Sequence, residues 1–271
     1  MAGIPARYRI LWRGAVPANT VEMKYRPDRH VSYTHAQQAD IERHWRRMIA
    51  AGRRMEDLPL YRLEGFSGDA NSLRLQLGPT SYRIYSGTNV ARPEWAQPTG
   101  GPMCANPLAL SAVMVTADGF AVLQQRSART GEYPSVWHIT PSGHLHPPDS
   151  PLEALLAETE EELGASPEEV IGSPEVIGLL ESLEVGKPEL ILRGRLSVTS
   201  QEILARRASD AWEYDRLVPL SWDAATVTQW LSSHEGDCVP PGHAAILLAA
   251  AGDFAHEWLE RRVETALAGS P

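Results

Sequence analysis

Apolar and polar residues along this chain follow two rhythms, and the change from one to the other marks out its elements. Residues 8–12 read as a short strand. Across 34–51, Ile41, Trp45, Met48 and Ile49 recur at helical spacing behind a Thr-x-x-Gln cap, and Gly52 follows. That pattern predicts a helix with those four residues inward. Residues 60–66 and 73–77 alternate like strands. A stretch rich in Pro and Gly, 92–107, reads as a linker. Beyond it come 108–116, a tight turn at Asp118-Gly119, and Phe120–Arg126, a strong hairpin signal. Residues 136–140 lead into a glycine loop. Apolar runs at 176–180 and 190–198 follow, and a last helix covers about 242–267 with a break near Gly252. No internal repeat or low-complexity tract is present. Strands on either side of a helix, followed by a C-terminal helix, fit a mixed sheet sandwiched by helices.

Between the glycine loop and the later strands lies a helix whose ends are written into the sequence. Ser150 is a good N-cap, Pro151 suits the first helical position, and Glu153 completes a capping box. Leu152, Leu155, Leu156 and Leu163 form an apolar stripe, and Gly164 supplies a left-handed C-cap. The helix therefore spans Pro151–Leu163, roughly 20 Å at 1.5 Å per residue. Its other side carries Glu158, Glu161 and Glu162, neighbours at three- and four-residue spacing. Two readings compete. An acidic helix face is commonly just solvated surface. Converging carboxylates also suit a hard divalent cation, and with it metal-assisted chemistry on a phosphate-bearing substrate.

Composition narrows the field. With 271 residues the chain has length for one large domain or two small ones. No apolar run approaches the roughly 18 residues of a membrane span, and 244–251 is the longest. No secretory signal is evident at the amino terminus. Cys104 and Cys238 suggest neither a disulfide framework nor a zinc site. The expectation is a soluble, cytoplasmic protein with no membrane partner. Charge is unevenly divided: residues 1–98 carry 15 Lys and Arg against 9 Asp and Glu, and the rest carry 10 against 25. The basic excess is too thin for a nucleic-acid binder. It suits either an anionic small substrate held between unlike halves or a plain attraction between them.

The spacing adds a resemblance. Gly143, five residues, Asp149, seven residues, then Ala-Glu-Thr-Glu-Glu-Glu-Leu-Gly-Ala from 157 to 165 resembles the Nudix box, Gly-x5-Glu-x7-Arg-Glu-U-x-Glu-Glu-x-Gly-U, where U is a bulky aliphatic. The 23-residue frame is kept without insertion. Gly143, Glu158, Glu161, Glu162 and Gly164 match. Asp149 replaces Glu, Ala157 replaces Arg, and Thr159 and Ala165 replace larger aliphatics. In the family, positions 149 and 157 form a supporting salt bridge, which this chain lacks. Upstream, the phrase at 75–89 with Thr80-Ser81-Tyr82-Arg83 and Gly87-Thr88-Asn89 is similar to the UDP-glucose/UDP-galactose pyrophosphatase branch. The likeness is good over about 72–164 and thin elsewhere.

The resemblance implies an α/β fold: a Nudix α/β/α sandwich with a mixed sheet over 104–271, preceded by a smaller α+β domain over 1–98 that contributes to substrate binding. It implies hydrolysis of UDP-glucose or UDP-galactose to UMP and sugar 1-phosphate with Mg2+, Mn2+ being a possible substitute. Glu158, Glu161 and Glu162 would be catalytic and would ligate the metal together with the Gly143 carbonyl; the general base is left unassigned. A homodimer is expected. Arg83 is a candidate diphosphate clamp or, equally, an interface ion pair. Tyr82, Tyr133 and Trp137 are candidates to stack on uracil, or core aromatics. His144 and His146 flank the loop, within reach of phosphate or metal. Thr88 and Asn89 either cap a turn or touch ligand, and Asp149 either contacts metal through water or serves helix entry. Two alternatives remain open: hydrolysis of another nucleoside diphosphate derivative such as ADP-ribose, and a module that senses a nucleotide sugar without cleaving it.

Overall fold

The computed structural model describes residues 7–92, Trp95 and 104–268. Most of the 92–107 linker, and the boundary between the two expected domains, lie outside those residues. The chain runs β1 (Tyr8–Pro17), β2 (Glu22–Tyr25), α1 (His35–Ala50), β3 (Pro59–Asp69), β4 (Ser72–Ser81) and the short α2 (Tyr82–Tyr85). It continues through β5 (Ala109–Val115), β6 (Phe120–Arg126), β7 (Trp137–Ile139), β8 (Ser142–His144) and α3 (Pro151–Leu163). Then come β9 (Val170–Ser182), β10 (Lys187–Leu196), α4 (Ser200–Ala205), β11 (Tyr214–Ser221), α5 (Ala224–Ser233), α6 (Pro240–Asp253) and α7 (Glu257–Ala268).

The main sheet is mixed, ordered β1-β9-β10-β5-β6-β11, with β8 on β5 and β7 on β6. Only β10 and β5 run parallel within it. A second sheet of three strands, β2-β4-β3, packs Leu73, Leu75 and Leu77 into the same apolar cluster as Leu155 and Leu163 of α3 and Leu110 of β5. The opposite face of the main sheet is covered by α5, α6 and α7. This is an α/β/α sandwich. The amino-terminal residues are woven into it, since β1 forms the edge strand beside β9.

Local signals explain most of the elements. Thr34 and Gln37 make the capping box of α1, and Ser150 and Glu153 that of α3, while Gly164 takes φ +64° at its end. The β5–β6 turn closes with Thr116 N–H donating to Phe120 O. In α1, Ile41 and Trp45 are buried as expected, joined by His44, but Ile49 is 49% exposed. Among the described residues, nothing packs over Ile49 closely enough to bury it, while Met48 in the same turn is half-buried. The last helix divides in two, α6 and α7, with the break at 254–256 just beyond Gly252. From Pro240 to Ala251 every residue of α6 is buried. A helix apolar all round must lie between layers, and here it is held between the sheet and α5 and α7.

Candidate active site

The carboxylates of α3 meet the loop that precedes the helix. Strand β8 places Gly143 opposite Leu110 of β5. A Cβ added at Gly143 would stand 1.6 Å from Glu158 Oε1. Any side chain there would displace Glu158, so glycine is required by close approach rather than by its backbone angles. Glu162 lies deeper, 1% exposed, beneath the cleft. Its Oε2 accepts hydrogen bonds from Thr140 Oγ1 and from Ser142 N at 3.1 Å, while its Oε1 has no hydrogen-bond partner. Glu161 is exposed at the rim. The three acids thus form a descending set from rim to interior.

Two further acids come from the segment between α4 and β11, which docks on the end of α3. Arg206 donates to Gly164 O at 2.9 Å and pairs with Glu169, and Asp210 N–H donates to Glu161 O at 3.0 Å. Asp210 and Glu213 consequently line the same cleft as Glu158 and Glu161. The electrostatic result is strong. Burial first, then the charges of Glu162, Glu161, Glu213 and Asp210, push the Glu158 carboxyl well above the ordinary carboxylate range. Burial and Glu213 raise Glu162 to about 8, against the opposing hydrogen bond from Thr140 and the Arg126 cation. Glu161 and Glu213 are raised for the same two reasons, burial and like charge.

A hard divalent cation fits this donor set by its chemistry. The oxygens are carboxylate, one of them is buried and unpaired, and the cluster is short of positive charge. Among the described residues, no three His, Cys, Asp or Glu side chains are already gathered into a coordination shell. The residues that would hold the ion are Glu158, Glu161 and Glu162, with the Gly143 carbonyl beside them.

The cleft has a volume of about 530 Å³. Tyr82, Tyr133, His144 and His146 line it. Tyr82 and Tyr85 each meet His144 edge-on, at 5.5 and 5.7 Å between ring centres. Burial, followed by the Lys187 cation, lowers the His144 imidazole to about 3. His146 Nδ1 donates to Pro59 O at 2.9 Å.

Other candidates are placed elsewhere. Arg83 pairs with Glu42 of α1 at 2.8 Å and Asp57 at 3.0 Å and does not line the cleft. Asn89 is fully buried; its amide donates to Val185 O at 2.8 Å and accepts from Ala105 N at 3.0 Å. Thr88 donates to Ile84 O, so both residues hold the loop that follows α2. Trp137 packs under Arg216, 5.0 Å from guanidinium to ring centre, away from the cleft. Asp149 turns the chain into α3, its N–H donating to His146 O. Ala157 is exposed, so the position where the box has arginine faces solvent. Arg126 of β6 is the cation that lowers both Glu162 and Glu213, and Arg54 also lowers Glu213.

Sequence reasoning did not single out Arg126 as a site residue, nor Asp210, Glu213, Glu132, Lys187 or Glu189, all of which line the cleft. They lie on four separate segments without a shared spacing. The one available signal was that Arg126 and Glu132 fall within the 72–164 stretch of family likeness.

The family model for the NUDIX domain matches residues 105–246, which is just over half of the chain. Uridine diphosphate glucose pyrophosphatase NUDT22 of Mus musculus is 35% identical over 103 residues, 34% of this chain and 33% of that protein. NUDT22 of Homo sapiens is 31% identical over 116 residues, 38% of each chain. Each match therefore spans little more than a third of the relative's length. Among solved structures, a NUDIX hydrolase from Nitrosomonas europaea aligns at 22% identity and TM-score 0.38, covering 54% of this chain and 88% of that one. DR0079 from Deinococcus radiodurans aligns at 15% identity and TM-score 0.39, covering 52% and 80%. The frame of the box, the acids it brings to the cleft and the match over 105–246 lead to one conclusion: this chain belongs to the Nudix family.

Proposed function

We propose that this protein hydrolyses the diphosphate linkage of a nucleoside diphosphate sugar, with UDP-glucose or UDP-galactose as substrate and UMP and sugar 1-phosphate as products. The observation that carries the reading is Glu162: a buried carboxylate, tied on one oxygen and unpaired on the other, beside Glu158 in a cluster with too little positive charge. Such a group is costly unless a cation completes it. The likeness to uridine diphosphate glucose pyrophosphatases supports the choice of substrate.

When bound, Mg2+ would neutralise the non-bridging oxygens of the diphosphate and acidify an attacking water. The chain's own residues do the rest. Glu158 and Glu162 release protons to become ligands, which their raised affinities for protons make pH-dependent. Thr140 and Ser142 fix Glu162 in orientation, and Gly143 leaves room for Glu158. Arg126 holds part of the negative charge in check.

A second reading, binding without cleavage, is favoured by one observation: Ala157 leaves the usual supporting arginine absent from α3. One experiment separates them. Purified protein is incubated with nucleoside diphosphate sugars and ADP-ribose, with Mg2+ or with chelator, and nucleoside monophosphate and sugar phosphate are followed by chromatography. Mg-dependent UMP from UDP-glucose is expected. ADP-ribose cleavage in its place would move the substrate, and binding without any product would support the sensing reading.

A further inference from the structure

At the far side of the cleft from α3 a buried ion cluster lies outside the Nudix box. Lys187, at the start of β10, is 7% exposed and donates to Glu132 Oε2 at 3.0 Å. Glu132 also accepts from the Tyr85 hydroxyl. Glu189, 2% exposed, accepts from the Ser111 hydroxyl through Oε1. Its Oε2 accepts no hydrogen bond, the Lys187 ammonium standing 3.6 Å away. Lys187, Glu132 and Glu189 all line the cleft.

Their position relative to the acids of α3 follows from strand register. Glu189 of β10 pairs with Ala109 of β5, and Ala109 pairs with His144 of β8, the residue after Gly143. Two strand spacings separate Glu189 from His144, about 10 Å between backbones. Glu158 and Glu189 line the same cleft, so a ligand whose diphosphate lies by Gly143 and Glu158 can extend one ring along it toward Glu189.

The charges of the cluster select what can sit there. Two carboxylates repel a phosphate group, and the Lys187 ammonium repels a metal ion. An apolar group would leave Glu189 Oε2 unsatisfied in the interior. What remains is a neutral group that both donates and accepts. A hydroxyl does this: it donates to Glu189 Oε2 and accepts from one of the ammonium's three N–H bonds. We infer that Glu189 and Lys187 form a subsite for a hydroxyl of the glycosyl ring, a specificity-determining contact made by residues outside the Nudix box. The inference rests on the nucleotide-sugar reading above.

The test measures binding by calorimetry, with calcium in place of magnesium, for UDP, UDP-glucose, ADP-glucose and UDP-glucose analogues each lacking one hydroxyl at C2, C3, C4 or C6. Wild-type protein should lose about 10- to 100-fold in affinity for one deoxy analogue, the range for a hydrogen bond to a charged group. Glu189→Gln should lose a similar factor for UDP-glucose, none for UDP, and nothing further for that same analogue. The loss should persist when adenine replaces uracil. Melting temperature checks that the variant folds, and the wild-type series stands without it. A flat wild-type series, a Glu189→Gln loss shared by all ligands including UDP, or a loss confined to the uridine ligands would overturn the inference. Turnover of UDP-glucose beside a flat series sinks the inference alone. Binding without turnover sinks the catalytic reading alone, and no binding sinks both.

Discussion

Glu158 Oε1 occupies the space that a Cβ on Gly143 would fill, 1.6 Å from its ideal position. Gly143 of β8 and Glu158 of α3 are therefore one packing unit, which accounts for a fixed spacing between them. Gly143→Ala should expel the Glu158 carboxylate from its place. The expected result is weakened binding of Mn2+, followed by electron paramagnetic resonance, with little change in unfolding free energy, because the atoms that must give way are the far end of a flexible side chain.

Glu162 offers a stability signature independent of activity. Its carboxyl is raised to about 8 in the folded chain, well above its unfolded value. An acid shifted upward stabilises the fold fully below its unfolded pKa and loses that contribution as pH rises through the folded pKa. In chelator, wild-type protein should therefore lose stability relative to Glu162→Gln between about pH 4.5 and 8. The difference between the two melting curves against pH isolates this group from the buried histidines. Added Mg2+ should reduce that difference most at the alkaline end, where the ligands are already deprotonated.

Arg126 is the cation that faces Glu162 and Glu213. Arg126→Met should let both carboxyls rise further, moving the acidic limb of the pH–rate profile toward alkaline pH and lowering kcat/KM by roughly 10- to 100-fold, the range for residues that orient metal ligands. Steady-state rates from pH 6 to 10 read this directly. An unmoved profile would remove Arg126 from the account.

Arg83 holds α1 and the segment at Asp57 together across the fold. These are half-exposed pairs, so Arg83→Ala should cost about 0–1 kcal/mol of stability. KM and kcat should stay within about twofold, the ordinary scatter for a site with no ligand contact. Chemical denaturation and a substrate titration decide it.

Much of the fold was legible because local signals and packing agreed. The caps of α1 and α3, the Asp118-Gly119 hairpin and the interruption near Gly252 all appear where the residues place them. The edge position of β1 was not legible, because its partner β9 lies some 160 residues along the chain and nothing in a short strand names its neighbour. Ile49 was read as core from its spacing, yet helical periodicity says which face is apolar and not how far the covering layer extends. The box revealed Glu158, Glu161 and Glu162 because they share one helix. Asp210 and Glu213 sit on an irregular segment, and Lys187 of β10 meets Glu132 of the β6–β7 connection only through the tertiary fold. Asn89 and Arg83 carried a family-like phrase, and their contacts are structural.

The central claim is that the acids around Glu162 hold a cation to cleave a nucleotide sugar. Its most direct test is the rate of UMP release from UDP-glucose as Mg2+ is titrated from zero, for wild-type protein and for Glu162→Gln. Saturable, Mg-dependent release by the wild type, with a loss of at least about 100-fold in the folded variant, is the predicted result. Release that ignores Mg2+, or that survives Glu162→Gln at the wild-type rate, would contradict the account.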